Sequence, residues 1–193
     1  MFCQKCGSEI KDGAKFCVSC GEPVEAQSIQ TTYVDEDGLI HPKRPMKWFK
    51  FLIYFSLWAG AILNIGNGIM TMSGMQYETE PEVTAELVYA FFKELKTIDL
   101  LYGIALIAFA VYMIVIRFRL AGYYKNGPAM FISAYVIALL INVAYYATVL
   151  IVVPEAVEVA TVVATIVGNV IGNGLMIVLN SIYFKKRKHL FVK

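Results

Sequence analysis

Charge is what this sequence has least of. Of its 193 residues only 17% are Asp, Glu, Lys or Arg, which excludes an ordinary soluble domain, where roughly a quarter of residues are charged. Histidine is nearly missing: there are two, and neither His41 nor His189 has a partner at a spacing that would build a metal site or a catalytic pair. No Ser-His-Asp or Cys-His set, phosphate loop or paired intramembrane carboxylate can be assembled, so the expectation is a protein that is not an enzyme. Cysteine is confined to the first twenty residues. A net charge of +2 is too small to point to a polyanion as ligand. The opening "MFCQKC" lacks the basic and apolar regions of a cleaved leader, so the N-terminal segment is expected to stay attached.

What fills the space is apolar. Hydrophobic residues make up 58% of the chain, and the mean hydropathy is +0.60. Four stretches carry no charged side chain: Phe51 to Tyr77, Leu100 to Ile116, Asn126 to Pro154 and Val159 to Phe184. Each is long enough, or nearly so, for the roughly 20 helical residues that cross a hydrocarbon core. The second is the shortest; Ile98 extends it past Asp99 at one end, and Arg117 snorkels at the other. The spacing predicts spans at about 51–73, 98–116, 129–153 and 159–184. Core helices of a soluble bundle would keep a polar face, and these stretches are apolar nearly all round. Asp99, at the outer end of the second span, suits a helix N-terminus. No acid, base or histidine is expected within the spans, which argues against a coupled pump.

Basic residues resist translocation, so their placement sets orientation. Lys43, Arg44, Lys47 and Lys50 precede the first span, Arg117, Arg119 and Lys125 lie between the second and third, and Lys185 to Lys188 with Lys193 follow the fourth. With alternating spans all three groups share one side, and both termini are expected in the cytoplasm of a bacterial cell, the chain being integral to its plasma membrane. There the basic clusters meet the bilayer, where anionic lipid attracts each charge by about 1 kcal/mol. The opposite side receives the acidic loop with Glu78, Glu80, Glu82, Glu86 and Glu94. Within it, Val83, Leu87, Val88, Phe91, Phe92 and Leu95 recur near helical spacing after Pro81, which predicts an amphipathic helix on the outer surface.

The cysteines stand as Cys3-x2-Cys6, a ten-residue gap, and Cys17-x2-Cys20. Two such knuckles supply four thiolates to one tetrahedral Zn²⁺, leaving no open position for catalysis. Gly7 and Gly21 let the backbone turn around the sulfurs, and Asp12-Gly13 marks a short hairpin with Ile10 and Phe16 beside the metal. So short a segment cannot bury enough apolar surface to fold alone, and metal binding would supply most of its stability. Two disulfides, a four-thiolate iron site and a dithiol redox pair are the competing readings; the cytoplasmic placement, the short gap and the doubled motif favour one structural zinc ion. "MFCQKCGSEIKDGAKFCVSCGEP" resembles the zinc ribbons found at the N-terminus of many bacterial proteins, often joined to membrane segments and of unassigned function. The resemblance implies Cys3, Cys6, Cys17 and Cys20 as the zinc ligands. The ending "NSIYFKKRKHLF" is more weakly similar to the close of small four-helix bacterial membrane proteins.

The spans also hold Asn64, Asn67, Asn142, Asn169, Asn173 and Asn180, amides that are costly in hydrocarbon unless bonded, and so expected to face inward. "IGNGIM" at Ile65 to Met70 recurs as "IGNGLM" at Ile171 to Met176, and the two copies are expected to meet across a close contact of the first and fourth spans. Gly168-x3-Gly172 permits close approach within the bundle or between copies of the chain. The first five of these amides form the candidate intramembrane patch, a helix clamp or the lining of a path.

The sequence therefore predicts an all-α membrane protein. A small β zinc ribbon at 1–23 and a flexible linker at 24–46 precede a four-helix transmembrane bundle at 47–193. The expected role is an adaptor whose ribbon meets a protein partner. The ribbon's Lys5, Lys11 and Lys15 are balanced by Glu9, Asp12, Glu22 and Glu25, so nucleic acid is not expected as a partner. A small transporter or channel subunit is the alternative.

Overall fold

The computed structural model describes residues 6–11, 14–21, 32–34, 40–42, 46–78, 82–156 and 158–193. The chain divides into two compact units, Met1–Met46 and Lys47–Lys193.

In the first unit, Glu9 and Phe16 each take an isolated β-bridge, as a hairpin between the knuckles requires; its turn residues Asp12 and Gly13 lie outside the described residues. A small core joins Ile10, Cys17 and Ala14. Further on, strand β1 (Thr32–Val34) pairs antiparallel with β2 (Ile40–Pro42), placing Tyr33 opposite His41. This pair falls within the stretch expected to serve as a linker.

The second unit is helical. Helix α1 (Lys47–Ser73) contains a π-helical segment at Leu52–Ser56. After a 3-10 turn at Met75–Tyr77 comes α2 (Ala85–Phe91), where the Thr84 hydroxyl accepts from the Leu87 amide at 3.3 Å and caps the helix start. Helices α3 (Lys93–Ala121), α4 (Gly127–Val152) and α5 (Val159–Lys185) follow. Pro128 suits the first turn of α4, where an amide hydrogen would lack a partner anyway. Four helices, α1, α3, α4 and α5, are long and apolar enough to cross a membrane.

Two expectations are corrected. Asp99 does not stand at a helix N-terminus: helix α3 begins at Lys93, ahead of the expected span, and its 29 residues reach about 43 Å. Asp99 does not end it, because the carboxylate is sheltered by the chain itself. The outer amphipathic helix is shorter than its pattern: Phe92, at φ −121° and ψ 75°, breaks the run. Ala85 supplies the buried face, whereas Leu87 and Phe91 are exposed; Pro81 lies outside the described residues.

Helix α3 packs between α1 and α4, and α5 packs on α4. Helices α1 and α3 approach closely at Gly68 and Gly103. A Cβ added at Gly68 would stand 2.9 Å from the Gly103 carbonyl oxygen, and one at Gly103 would stand 2.7 Å from that of Gly68. Only glycine lets the two backbones come this near. The expected meeting of the two IGNG copies is therefore not made: the α1 copy meets α3, and Gly172 and Gly174 of the α5 copy face open space. Helices α1 and α5 are instead joined nearer the chain ends. The Trp48 indole donates to Asn180 at 3.1 Å, and the Phe49 amide donates to the Tyr183 hydroxyl at 3.1 Å.

Candidate functional site

The first unit brings three thiols together. The sulfurs of Cys6, Cys17 and Cys20 all lie within 4.8 Å of one another, with Cys6 and Cys17 at 3.6 Å. Sulfurs on a tetrahedral zinc, with Zn–S bonds of about 2.3 Å, stand about 3.8 Å apart, so the arrangement fits the ion. Gly7 and Gly21, at φ +71° and +69°, turn the chain immediately after Cys6 and Cys20, as their place in the motif predicts. The Ser8 hydroxyl sits 2.9 Å from the Cys6 sulfur and 3.3 Å from that of Cys17. That hydroxyl, with the backbone amides of Ser19 and Cys20, lowers the Cys17 thiol to about 6. The metal-binding form of the side chain is thus favoured before any ion arrives. Cys3, the fourth expected ligand, lies outside the described residues.

The surface of this unit is apolar beside the sulfurs. Phe16 is 60% exposed and Val18 88% exposed, so that of the expected pair Ile10 and Phe16 only Ile10 is buried. A unit that small leaves such side chains outside because there is no interior to receive them.

In the second unit the asparagines are satisfied mostly by their own helices. Asn64, Asn142, Asn169 and Asn173 each donate to the carbonyl four residues earlier, at 2.8 to 2.9 Å. An amide that bonds its own turn is satisfied without a partner on another helix. Asn142 also accepts from the Tyr102 hydroxyl at 3.4 Å. Asn67 is exposed and lines a partly open cavity of about 440 Å³.

Beside that cavity lies what the sequence reading missed. Asp99 is not a helix N-terminus; it sits well inside α3 and is fully buried. Its Oδ2 accepts from the hydroxyls of Tyr77 at 2.8 Å and Tyr89 at 3.0 Å, and from the Gln76 amide at 3.4 Å. Its Oδ1 accepts from the Tyr145 hydroxyl at 2.9 Å. Burial first, then the neighbouring carboxylate, pushes the hydroxyls of Tyr77 and Tyr89 well above the usual tyrosine range, so both remain donors. The only hint in the sequence was its supply of tyrosine, twelve in all. Asp99 therefore lies inside a span-length helix rather than at its N-terminus.

The opposite end of the unit is closed by rings. Phe49, Phe131, Phe184 and Phe191 are all buried; Phe184 meets Phe131 and Phe191 edge-on, each at 5.7 Å. Arg117, expected to snorkel, stacks over Phe118 at 4.8 Å and Trp58 at 5.6 Å. His189 falls in a 3-10 turn at Lys188–Leu190.

Residues 2–24 match the zinc-ribbon domain family. No curated protein and no solved structure matches the chain. The family match ends well before the first membrane-length helix, so it identifies a zinc-ribbon domain at the N-terminus and leaves the helical unit to be read from its own geometry.

Proposed function

We propose that this protein is a membrane-anchored, non-enzymatic interaction module, in which a zinc-stapled ribbon presents a protein-binding surface at the cytoplasmic face of a bacterial plasma membrane. The observation that carries the reading is the pair of apolar side chains, Phe16 and Val18, left exposed beside the thiol cluster. A ribbon whose rigidity comes from one zinc ion has no core to spend apolar residues on, and can offer them to a partner. Cys3 completes the ligand set with Cys6, Cys17 and Cys20 in this reading. The basic residues around Lys47, Lys50 and Lys185 to Lys188 hold both termini on the cytoplasmic side against anionic lipid.

The test is crosslinked capture from native membranes, with three proteins at matched levels: the native chain, Cys17→Ser/Cys20→Ser, and Phe16→Ser/Val18→Ser. The expected result is one defined partner, recovered with the native chain and lost with both variants, while the Phe16/Val18 variant keeps its zinc. Equal recovery from all three sinks the adaptor reading. A small transporter or channel subunit is the second reading, favoured by the cavity at the Asp99 end; a solute flux that survives loss of the ribbon would support it.

A further inference from the structure

The cavity beside Asp99 has a lining that selects for charge. A tyrosine hydroxyl carries one proton and two lone pairs. Tyr77 and Tyr145 both line the cavity, and both give their proton to Asp99. Their oxygens therefore face other partners only as acceptors, polarised by the carboxylate behind them. Every hydrogen-bond partner of Asp99 among the described residues is a neutral donor, so its carboxyl oxygens draw those donors inward. Tyr102 and Tyr146 add aromatic rings to the wall, with Tyr102 stacked on Tyr145 at 4.1 Å. Met70, Leu95, Leu106 and Val149 supply apolar wall, and Asn67, Thr71 and Gln76 supply neutral polar groups.

No basic side chain is among the lining residues to pair with an anion, and the hydroxyls of Tyr77 and Tyr145 have their protons turned away from the cavity. The lining also disfavours a hard metal ion, which needs carboxylate oxygens at about 2.0–2.6 Å, whereas those of Asp99 lie behind the phenols. A diffuse positive charge with an apolar shell needs no direct contact with the carboxylate: ring faces and polarised oxygens suffice, and the apolar wall accepts its methyl groups. We propose that the Asp99 cavity is a binding site for a small organic ammonium ion, with Tyr77, Tyr102, Tyr145 and Tyr146 as its contact residues and Asp99 as the acceptor that orients the hydroxyls of Tyr77 and Tyr145. The site belongs to the helical unit alone and stands or falls separately from the role of the ribbon.

The test uses the full chain, zinc-loaded and purified in mild detergent, titrated calorimetrically with choline chloride and with 3,3-dimethylbutan-1-ol, the neutral isostere in which carbon replaces the charged nitrogen. The expected result is that choline binds about tenfold or more tightly than the isostere, and that Asp99→Asn loses about tenfold or more in choline affinity. If Asp99→Asn is not recovered folded, Tyr146→Leu carries the test. It removes one ring from the wall without touching the hydrogen bonds of Asp99, and the same loss is expected. No choline binding by the native chain, equal binding of the isostere, or full choline affinity in the variant used would each overturn the proposal.

Discussion

The two ends of the helical unit use aromatic side chains in opposite ways. At the end where this unit's chain enters and leaves, phenylalanines from α1, α4, α5 and the tail fill a dry cluster, with Phe49 at 1% exposure and Phe184 at 3%. At the other end, tyrosines from α2, α3, α4 and the 3-10 turn surround a carboxylate and leave a cavity beside it. The hydroxyl makes the difference. A ring without one is best placed against another ring, with nothing left to satisfy. A buried ring carrying one must find an acceptor, and a single acceptor shared among several such rings cannot also be close-packed. One end is built for closure and the other for solvation of a charge.

Phe184→Ala tests the closed end and should have the largest effect. Loss of a buried ring that meets two others costs about 3–5 kcal/mol, seen as a fall in unfolding free energy in detergent. Because the site lies far from the cavity, choline affinity of the remaining folded protein should stay unchanged; a parallel loss would mean the two ends are coupled. Gly103→Val should follow, at about 1–3 kcal/mol or somewhat more. The added methyls strike Met72 and the Gly68 carbonyl, pushing α1 from α3. Gln76 and Tyr77 follow α1 in the chain and Asp99 belongs to α3, so this variant should weaken ammonium binding as well as stability. Stability loss with full binding would show that the cage does not depend on the helix pair.

The sequence made one of these ends readable and hid the other. The membrane-length helices were legible because charge-free runs report on solvent, a property each residue carries by itself. The thiol cluster was legible because metal ligands recur at short, fixed spacing. The cage was not, since its donors Tyr77, Tyr89 and Tyr145 reach Asp99 from separate parts of the chain, and no local period links them. Asp99 looked like a helix start because one charge at the edge of an apolar run usually marks a boundary. The asparagines were ambiguous for a related reason: an amide in an apolar helix implies that it needs a partner, and says nothing of whether that partner lies across an interface or one turn back.

Alkali tests the carboxylate end. Tyr77 and Tyr89 hold their protons to higher pH in the folded chain than in the unfolded one. Above the ordinary tyrosine value of about 10 the unfolded state has released protons that the folded state still binds, so stability falls as pH rises through that value and is fully kept below it. Thermal unfolding followed from pH 9 to 11 should drop by a few degrees. Tyr77→Phe should flatten the decline, and phenylalanine substitutions at the closed end should leave its slope alone. A native decline that Tyr77→Phe does not change would place the titrating group elsewhere.

The smallest effect belongs to the glycines of α5, and it sharpens the contrast between close and open contacts. Gly168, Gly172 and Gly174 have nothing within 4 Å of an added Cβ, whereas Gly68 and Gly103 would strike backbone. Buried residues make up 28% of the most apolar stretch of α1 and of α3, against 6% in α4 and in α5, so the α5 surface has room that the α1–α3 contact lacks. Gly168→Ala/Gly172→Ala should therefore leave the unfolding free energy of the single chain unchanged or raise it by up to about 1 kcal/mol per site, the helix-propensity gain of alanine over glycine. The same exchange at Gly68 should lower it. A clear loss at Gly168 and Gly172, read with the oligomeric state in detergent, would mean that these glycines meet a second copy of the chain, and that the small-residue spacing in α5 serves assembly rather than the fold of one protomer.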